Sequence, residues 1–201
     1  MQQGVPISER MNQRLRERFF HLATQQFVSQ GYKETSFKEL ARILDIDRST
    51  LRSYFPDKES FLLYFVEQEM ACTVQEAERM SSSKRPAAER LAHILDYLWA
   101  YLNENRDLTF LTARILPALS DSCQERIASR QRKYVQILER IIRQGIKRGE
   151  FRRVDPRLAA ATLYDLVMAP FTAWLLYADR DEHECDPGSR LDIFLQGLQA
   201  D

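Results

Sequence analysis

Apolar residues along this chain recur at intervals of three and four and almost nowhere at intervals of two, so the pattern predicts helices and no strand. The first stripe, Leu15, Phe19, Leu22, Ala23 and Phe27, predicts a helix from about Ser8 to Gln30 with Gly31 as its C-terminal stop. Phe37, Leu40, Ala41 and Leu44 give a short second helix, opened by the capping box of Ser36 and Glu39. Asp45 breaks the pattern, being of a type that tolerates a left-handed turn. Asp47 is placed to cap a third helix by accepting from its free amides. That helix ends at Phe55, because a residue before proline avoids the helical region. Asp57 then caps a fourth helix, from Lys58 to about Met80, with Phe61, Leu62, Phe65 and Val66 inward.

The rest of the chain continues in the same register. After a polar break over Ser81 to Arg85, a fifth helix spans about Pro86 to Asn103, with Leu91, Ile94, Leu95, Leu98 and Leu102 inward. A sixth starts at Asp107 and is stopped or kinked by Pro117. A seventh runs from about Ser122 to Arg148 and closes at Gly149. An eighth, capped at Asp155-Pro156, reaches about Tyr177 with Pro170 inside it. Residues 179–186 form a charged loop, and Ser189 to Leu198 a ninth helix. The expected fold is all-α, with about nine helices. An N-terminal three-helix unit with a helix-turn-helix (residues 1–60) would precede a larger helical body (residues 61–201). The junction falls inside the fourth helix, so a movement of the body can be passed mechanically to the first unit.

The third helix is polar and cationic where a packed helix would be apolar. Ile46 and Leu51 plug it onto the second helix, which leaves Arg48, Ser49, Arg52 and Ser53 outward with Thr50 and Tyr54 at the edges. Such a helix suits the DNA major groove. Arg48 and Arg52, one turn apart, can each take guanine O6 and N7, worth ~1–3 kcal/mol of discrimination. Ser49, Thr50 and Ser53 are small enough to approach base edges or phosphates. Ser36 and Lys38, at the start of the preceding helix, are further candidates for backbone contact, and Lys58 sits at a helix N-terminus where anions are favoured.

From Arg14 to Phe65 the chain resembles the DNA-binding domain of the TetR family of bacterial transcriptional regulators. The most specific part is the run Thr50-Leu51-x-x-Tyr54-Phe55-Pro56-x-Lys58-Glu59. Two departures stand out: Asp45 replaces the family's usual turn glycine, and Ser49 and Arg52 stand where glycine and an aromatic are common. The first leaves the fold intact, and the second alters which bases are read. The resemblance implies that Thr50, Tyr54 and Lys58 contact phosphates. It also implies that helices four to eight enclose an effector pocket, for which Trp99, Phe110, Tyr134, Tyr164 and Phe171 are the candidate lining and a small apolar or aromatic molecule the expected ligand. A repressor binding a palindromic double-stranded DNA operator as a homodimer is the function implied. The eighth and ninth helices are unusually apolar, and Leu158, Leu166, Trp174, Leu191, Phe194, Leu195 and Leu198 are the expected dimer contacts.

Bulk numbers sharpen this in one respect. Net charge is zero, and residues 1–60 hold ten Lys and Arg against eight Asp and Glu, so DNA affinity must rest on a few placed cations. The same near-neutrality is what a helical protein-interaction module without DNA binding would have, and that is the alternative reading. No apolar run approaches the ~20 residues of a membrane span, and the first residues lack the blocks of a signal peptide, so a cytoplasmic location is expected. Cys72, Cys123 and Cys185 are sparse and form no CxxC pair, which fits a reducing compartment. Cys185, in the charged loop, is the one candidate for redox sensing. His21 and His93 read as structural or exposed. The cluster Asp181 to Asp186 lacks a metal-ligand spacing, and neither a glycine-rich phosphate loop nor a nucleophile elbow is present. No cofactor, metal or enzymatic activity is expected.

Overall fold

In the computed structural model, residues 13–176 and 187–199 are described, with side chains described for 14–171 and 192–199. Among them are nine α-helices: α1 Gln13–Gln30, α2 Phe37–Ile43, α3 Arg48–Tyr54, α4 Lys58–Ser81, α5 Ala87–Glu104, α6 Arg106–Ile115, α7 Asp121–Arg148, α8 Pro156–Leu176 and α9 Pro187–Leu198. A 3₁₀ turn over Leu116–Ala118 finishes α6 at Pro117. The predicted start of the first helix at Ser8, the charged loop with Cys185, and the acidic cluster 181–186 lie outside the described residues.

Local chemistry sets most helix ends. Gly31 takes φ 96°, a left-handed backbone that glycine adopts without the strain a side chain would bring, and closes α1. Ser36 Oγ accepts from Glu39 N at 3.1 Å and opens α2. Asp45 is left-handed, with φ 56°. Asp57 Oδ1 accepts from Ser60 N at 2.7 Å and opens α4. Asp155 Oδ1 accepts from the amides of Arg157 and Leu158 at the start of α8. Asp47 corrects the expectation: it holds the N-cap backbone conformation of α3, but its exposed side chain makes no capping bond.

The core forms two apolar clusters. The first joins Phe19, Phe27, Leu40, Leu44, Leu51, Phe55, Phe61 and Phe65 to Leu108, Leu111, Ile115, Leu119 and Ile127. The second joins Val74, Ala77 and Met80 to the inner faces of α5, α7, α8 and α9. α4 has 24 residues, about 36 Å at 1.5 Å per residue, and contributes to both. α6 and the first turns of α7 thus pack with the N-terminal helices as well as with the body.

Two contacts tie the body together at buried points. Arg90 is only 1% exposed. Its Nη1 donates to Ser81 O at 3.1 Å and Gln144 Oε1 at 2.8 Å, tying the end of α4 to α5 and α7. Gly145 lies inside α7 where a Cβ would come within 2.4 Å of the Phe151 ring, so Phe151 seats directly on the helix backbone. From there Phe151 pairs with Gln199, and Arg152 N donates to Leu198 O at 2.9 Å, which ties the end of α9 back onto the body.

Candidate nucleic-acid interface and ligand cleft

α3 is anchored by Leu51, which is fully buried, and by the partly buried Ile46. That anchoring leaves Arg48, Ser49, Thr50, Arg52 and Ser53 exposed as the sequence predicts. Neither arginine has a hydrogen-bond or ion-pair partner among the described residues, so both guanidinium groups are available to a ligand. Ser53 Oγ donates to Thr50 O at 2.7 Å, folding that hydroxyl back onto the helix. Tyr54, at the edge, is half-buried edge-on to Phe19, with ring centroids 6.5 Å apart. Ser36 and Lys38 are exposed at the first turn of α2, although the Ser36 oxygen serves its own helix cap.

Lys58 departs from the outward, phosphate-facing position. Its ammonium donates to Tyr32 O and, at 2.8 Å, to Thr35 O, and it lies 4.1 Å above the Tyr32 ring. Burial lowers its pKa, with Glu34 opposing that effect, and burial also pushes the Tyr32 phenol up. A lysine at a helix N-terminus reads as an anion contact in sequence. Here the free carbonyls of the α1–α2 loop reach it first, and it pins that loop to α4.

A cleft of about 210 Å³ opens in the body between α4, α5, α6, α7 and α8. Of the five expected lining residues, Tyr134 and Tyr164 are there, with rings 5.9 Å apart. Trp99, Phe110 and Phe171 instead pack on one another, Phe171 lying 5.3 Å from Trp99 and 5.8 Å from Phe110. They stabilise the α5–α6–α8 contact and do not line the cleft. The sequence reading missed Glu69 and Tyr101, which form a polar pair in a mostly apolar wall. Tyr101 OH donates to Glu69 Oε2, and burial raises the carboxyl pKa against that hydrogen bond. The available signal was an acidic residue on the Val66–Met70–Thr73 stripe of α4, where an apolar one would be expected. Thr112, on the α6 wall, has its hydroxyl buried without a hydrogen-bond partner among the described residues.

The expected dimer residues divide in the same way. Leu158 is 66% exposed, and Leu166 and Phe194 are half-buried. Leu195 and Leu198 turn into the chain's own core, and Ile193, at 73% exposed, takes the outward place on α9. Trp174 and Leu191 have side chains outside the described residues.

Contacts at the α6–α7 corner join the start of α7 to the first half of α4. Glu59 accepts from Ser120, and Glu67 takes Arg126 in a bidentate pair at 3.0 and 2.6 Å. Among the described residues, no helix is long and apolar enough to cross a membrane, and no group of three or more His, Cys, Asp or Glu could hold a metal ion.

A short helix pair with a bare cationic face, carried by a long helix that also walls a cleft, defines a helix-turn-helix regulator. Residues 20–65 match the bacterial regulatory proteins of the tetR family, and residues 84–174 match the tetracyclin repressor-like C-terminal domain. The chain belongs to the TetR family of transcriptional regulators. It is 22% identical over 177 residues to the fatty acid metabolism regulator protein of Bacillus subtilis strain 168, covering 88% of this chain and 91% of that one. The structure of FadR from Bacillus subtilis in complex with stearoyl-CoA is similar at a TM-score of 0.76, with 21% identity, 91% of this chain and 99% of that chain covered. AibR in complex with isovaleryl coenzyme A and operator DNA is similar at 0.67, with 19% identity, 92% of this chain and 98% of that chain covered.

Proposed function

We propose that this regulator is a ligand-responsive repressor that binds a palindromic DNA operator as a homodimer. Residues 1–60 read DNA, and residues 61–201 bind the effector and the second subunit. Arg48 and Arg52 read bases, and Ser36, Lys38, Ser49, Thr50, Ser53 and Tyr54 approach the backbone and flanking edges. A small apolar or aromatic effector in the body cleft shifts the spacing of the two reading heads and lowers operator affinity by population shift. The observation that carries the reading is the unpartnered Arg48–Arg52 face and the ligand-sized cleft on one helical chain, with α4 running from the first to the second. Relatives solved with acyl-coenzyme A, and in one case with operator DNA, support it. The exposed Leu158 and Ile193 on α8 and α9, with Leu166 and Phe194 beside them, support subunit pairing there. The protein acts in the cytoplasm, and its work is binding rather than turnover.

The test is a fluorescence-anisotropy titration against DNA from upstream of its own gene. Specific binding that weakens steeply between 50 and 200 mM salt is expected. The rival reading is a protein-interaction module using the same helix pair, and the near-neutral N-terminal segment is the observation in its favour. Binding to a protein partner that ignores salt, with no DNA binding, would establish that rival instead.

A further inference from the structure

The cleft that the proposed function assigns to the effector also carries information about the effector's charge. Its wall is mostly apolar, Glu69 on α4 is the acidic residue in it, and the donor that Glu69 receives is a neutral phenol, Tyr101. A carboxylate in such a place is costly unless a cation or further donors compensate it. Among the described residues, no ion pair supplies one. Arg130 reaches the lining from α7 but forms no salt bridge with Glu69, and the only shifts felt by the Glu69 carboxyl come from burial and Tyr101.

Three tyrosine rings line the same cleft, those of Tyr101, Tyr134 and Tyr164. Two have their hydroxyls committed elsewhere, Tyr101 to Glu69 and Tyr134 to Ile94 O at 3.0 Å. Those hydroxyls therefore serve the protein, and the rings are what a ligand meets. Aromatic faces beside an acidic group favour organic cations, through the ring quadrupole and the opposite charge together. Met70 and Met168, also in the wall, adapt readily to a ligand's shape.

We propose that the cleft takes a lipophilic organic cation, an apolar or aromatic body bearing a protonated amine, with Glu69 as its counter-ion and the tyrosine rings around it. This rests on the effector reading of the cleft. Arg130 is the residue an anionic ligand would use, and the test includes that outcome.

The experiment is isothermal titration of the full-length protein at pH 7.5 with 1-naphthylmethylamine, 1-naphthalenemethanol, 1-naphthaleneacetate and octanoyl-coenzyme A. The amine is expected to bind about tenfold or more tighter than the neutral alcohol, and the acetate more weakly than either. Glu69→Gln should remove the amine's advantage over the alcohol measured on the same variant. The wild-type comparison of amine and alcohol stands without the variant. Equal binding of amine and alcohol, or tighter binding of the acetate or the acyl-coenzyme A, overturns the cation proposal and leaves the effector cleft standing. Binding of none of the four overturns both.

Discussion

Glu59 Oε1 accepts from both the backbone N–H and the side-chain hydroxyl of Ser120, each at 2.6 Å. Glu59 belongs to the first turn of α4, next to the reading helices, and Ser120 is the N-cap residue of α7. Ser120 Oγ in turn accepts from Cys123 N at 3.4 Å, so one hydroxyl joins the α7 cap to α4. On the proposed reading, any shift of α7 produced by an effector in the cleft would reach the first turn of α4 through this contact. A double-mutant cycle of Glu59→Ala and Ser120→Ala, read by urea unfolding, should give a coupling of about 1 kcal/mol. The corner is exposed, so more is not expected. Additive single effects would remove this corner as a link.

The DNA face makes a prediction that separates three cations of similar sequence position. Arg52→Ala should cost about 1–3 kcal/mol of operator affinity and relax discrimination at one base position. Lys38→Ala should weaken all sequences alike and reduce the salt slope by about one. Lys58→Met should leave that slope unchanged and instead lower the melting temperature, because its ammonium is held by Tyr32 and Thr35 carbonyls. Anisotropy titrations over a salt series, with thermal melts of each variant, check all three. A unit drop in slope for Lys58→Met would show that its ammonium leaves the loop when DNA binds.

Much of the architecture was legible because the signals are local. Ser36, Asp57 and Asp155 each sit within three residues of the amides they satisfy, and Gly31 needs only its own φ. What the sequence left open is where a buried or charged group finds its partner. The stripe containing Leu195 and Leu198 says that a face is covered, and the fold covers it with α5 and the Phe151–Gln199 bridge. Lys58 reads as outward until the loop carbonyls 23 and 26 residues earlier fold onto it. Aromatic content pointed to Trp99, Phe110 and Phe171 for the ligand site, yet large rings at helix crossings serve packing first. Glu69 escaped because its significance depends on α5 bringing Tyr101 beside it.

Arg90 tests what a buried charge is for. Two of its three guanidinium nitrogens, Nε and Nη2, have no hydrogen-bond partner among the described residues. Burial lowers its pKa and so does the charge of Arg148, with Glu150 opposing. A buried guanidinium without a carboxylate mate contributes little net stability. Arg90→Met, of similar volume, is expected to leave stability within about 1 kcal/mol or raise it. Arg90→Ala should lose about 2–4 kcal/mol through the cavity it opens. Chemical denaturation of the two variants distinguishes them, and an equal loss in both would mean that the bonds to Ser81 and Gln144 dominate.

Acid should destabilise the α4–α5 pairing through a single carboxylate. Hydrogen bonding from Arg79 holds the Glu76 carboxyl at about 2, with burial opposing and His93 assisting through a 2.6 Å contact between its Nε2 and Glu76 Oε1. Glu59 is lowered as well, by its hydrogen bonds from Ser120 and Cys123. For a carboxylate whose folded pKa is depressed, stability is fully present above the unfolded value, near 4.5 for Glu76, and is lost as pH falls through the folded one. The Glu76 contribution should therefore persist at pH 7 and 5 and decline between about pH 4.5 and 2. Since the Arg79 and His93 side chains are 63% and 41% exposed, the loss is modest and salt-sensitive. Glu76→Gln should unfold in urea slightly earlier than the wild type at pH 7, and the gap should narrow as the pH falls from about 4.5 toward the folded value of about 2. A constant difference between the two proteins across that range would mean that the carboxylate's charge is not what joins α4 to α5.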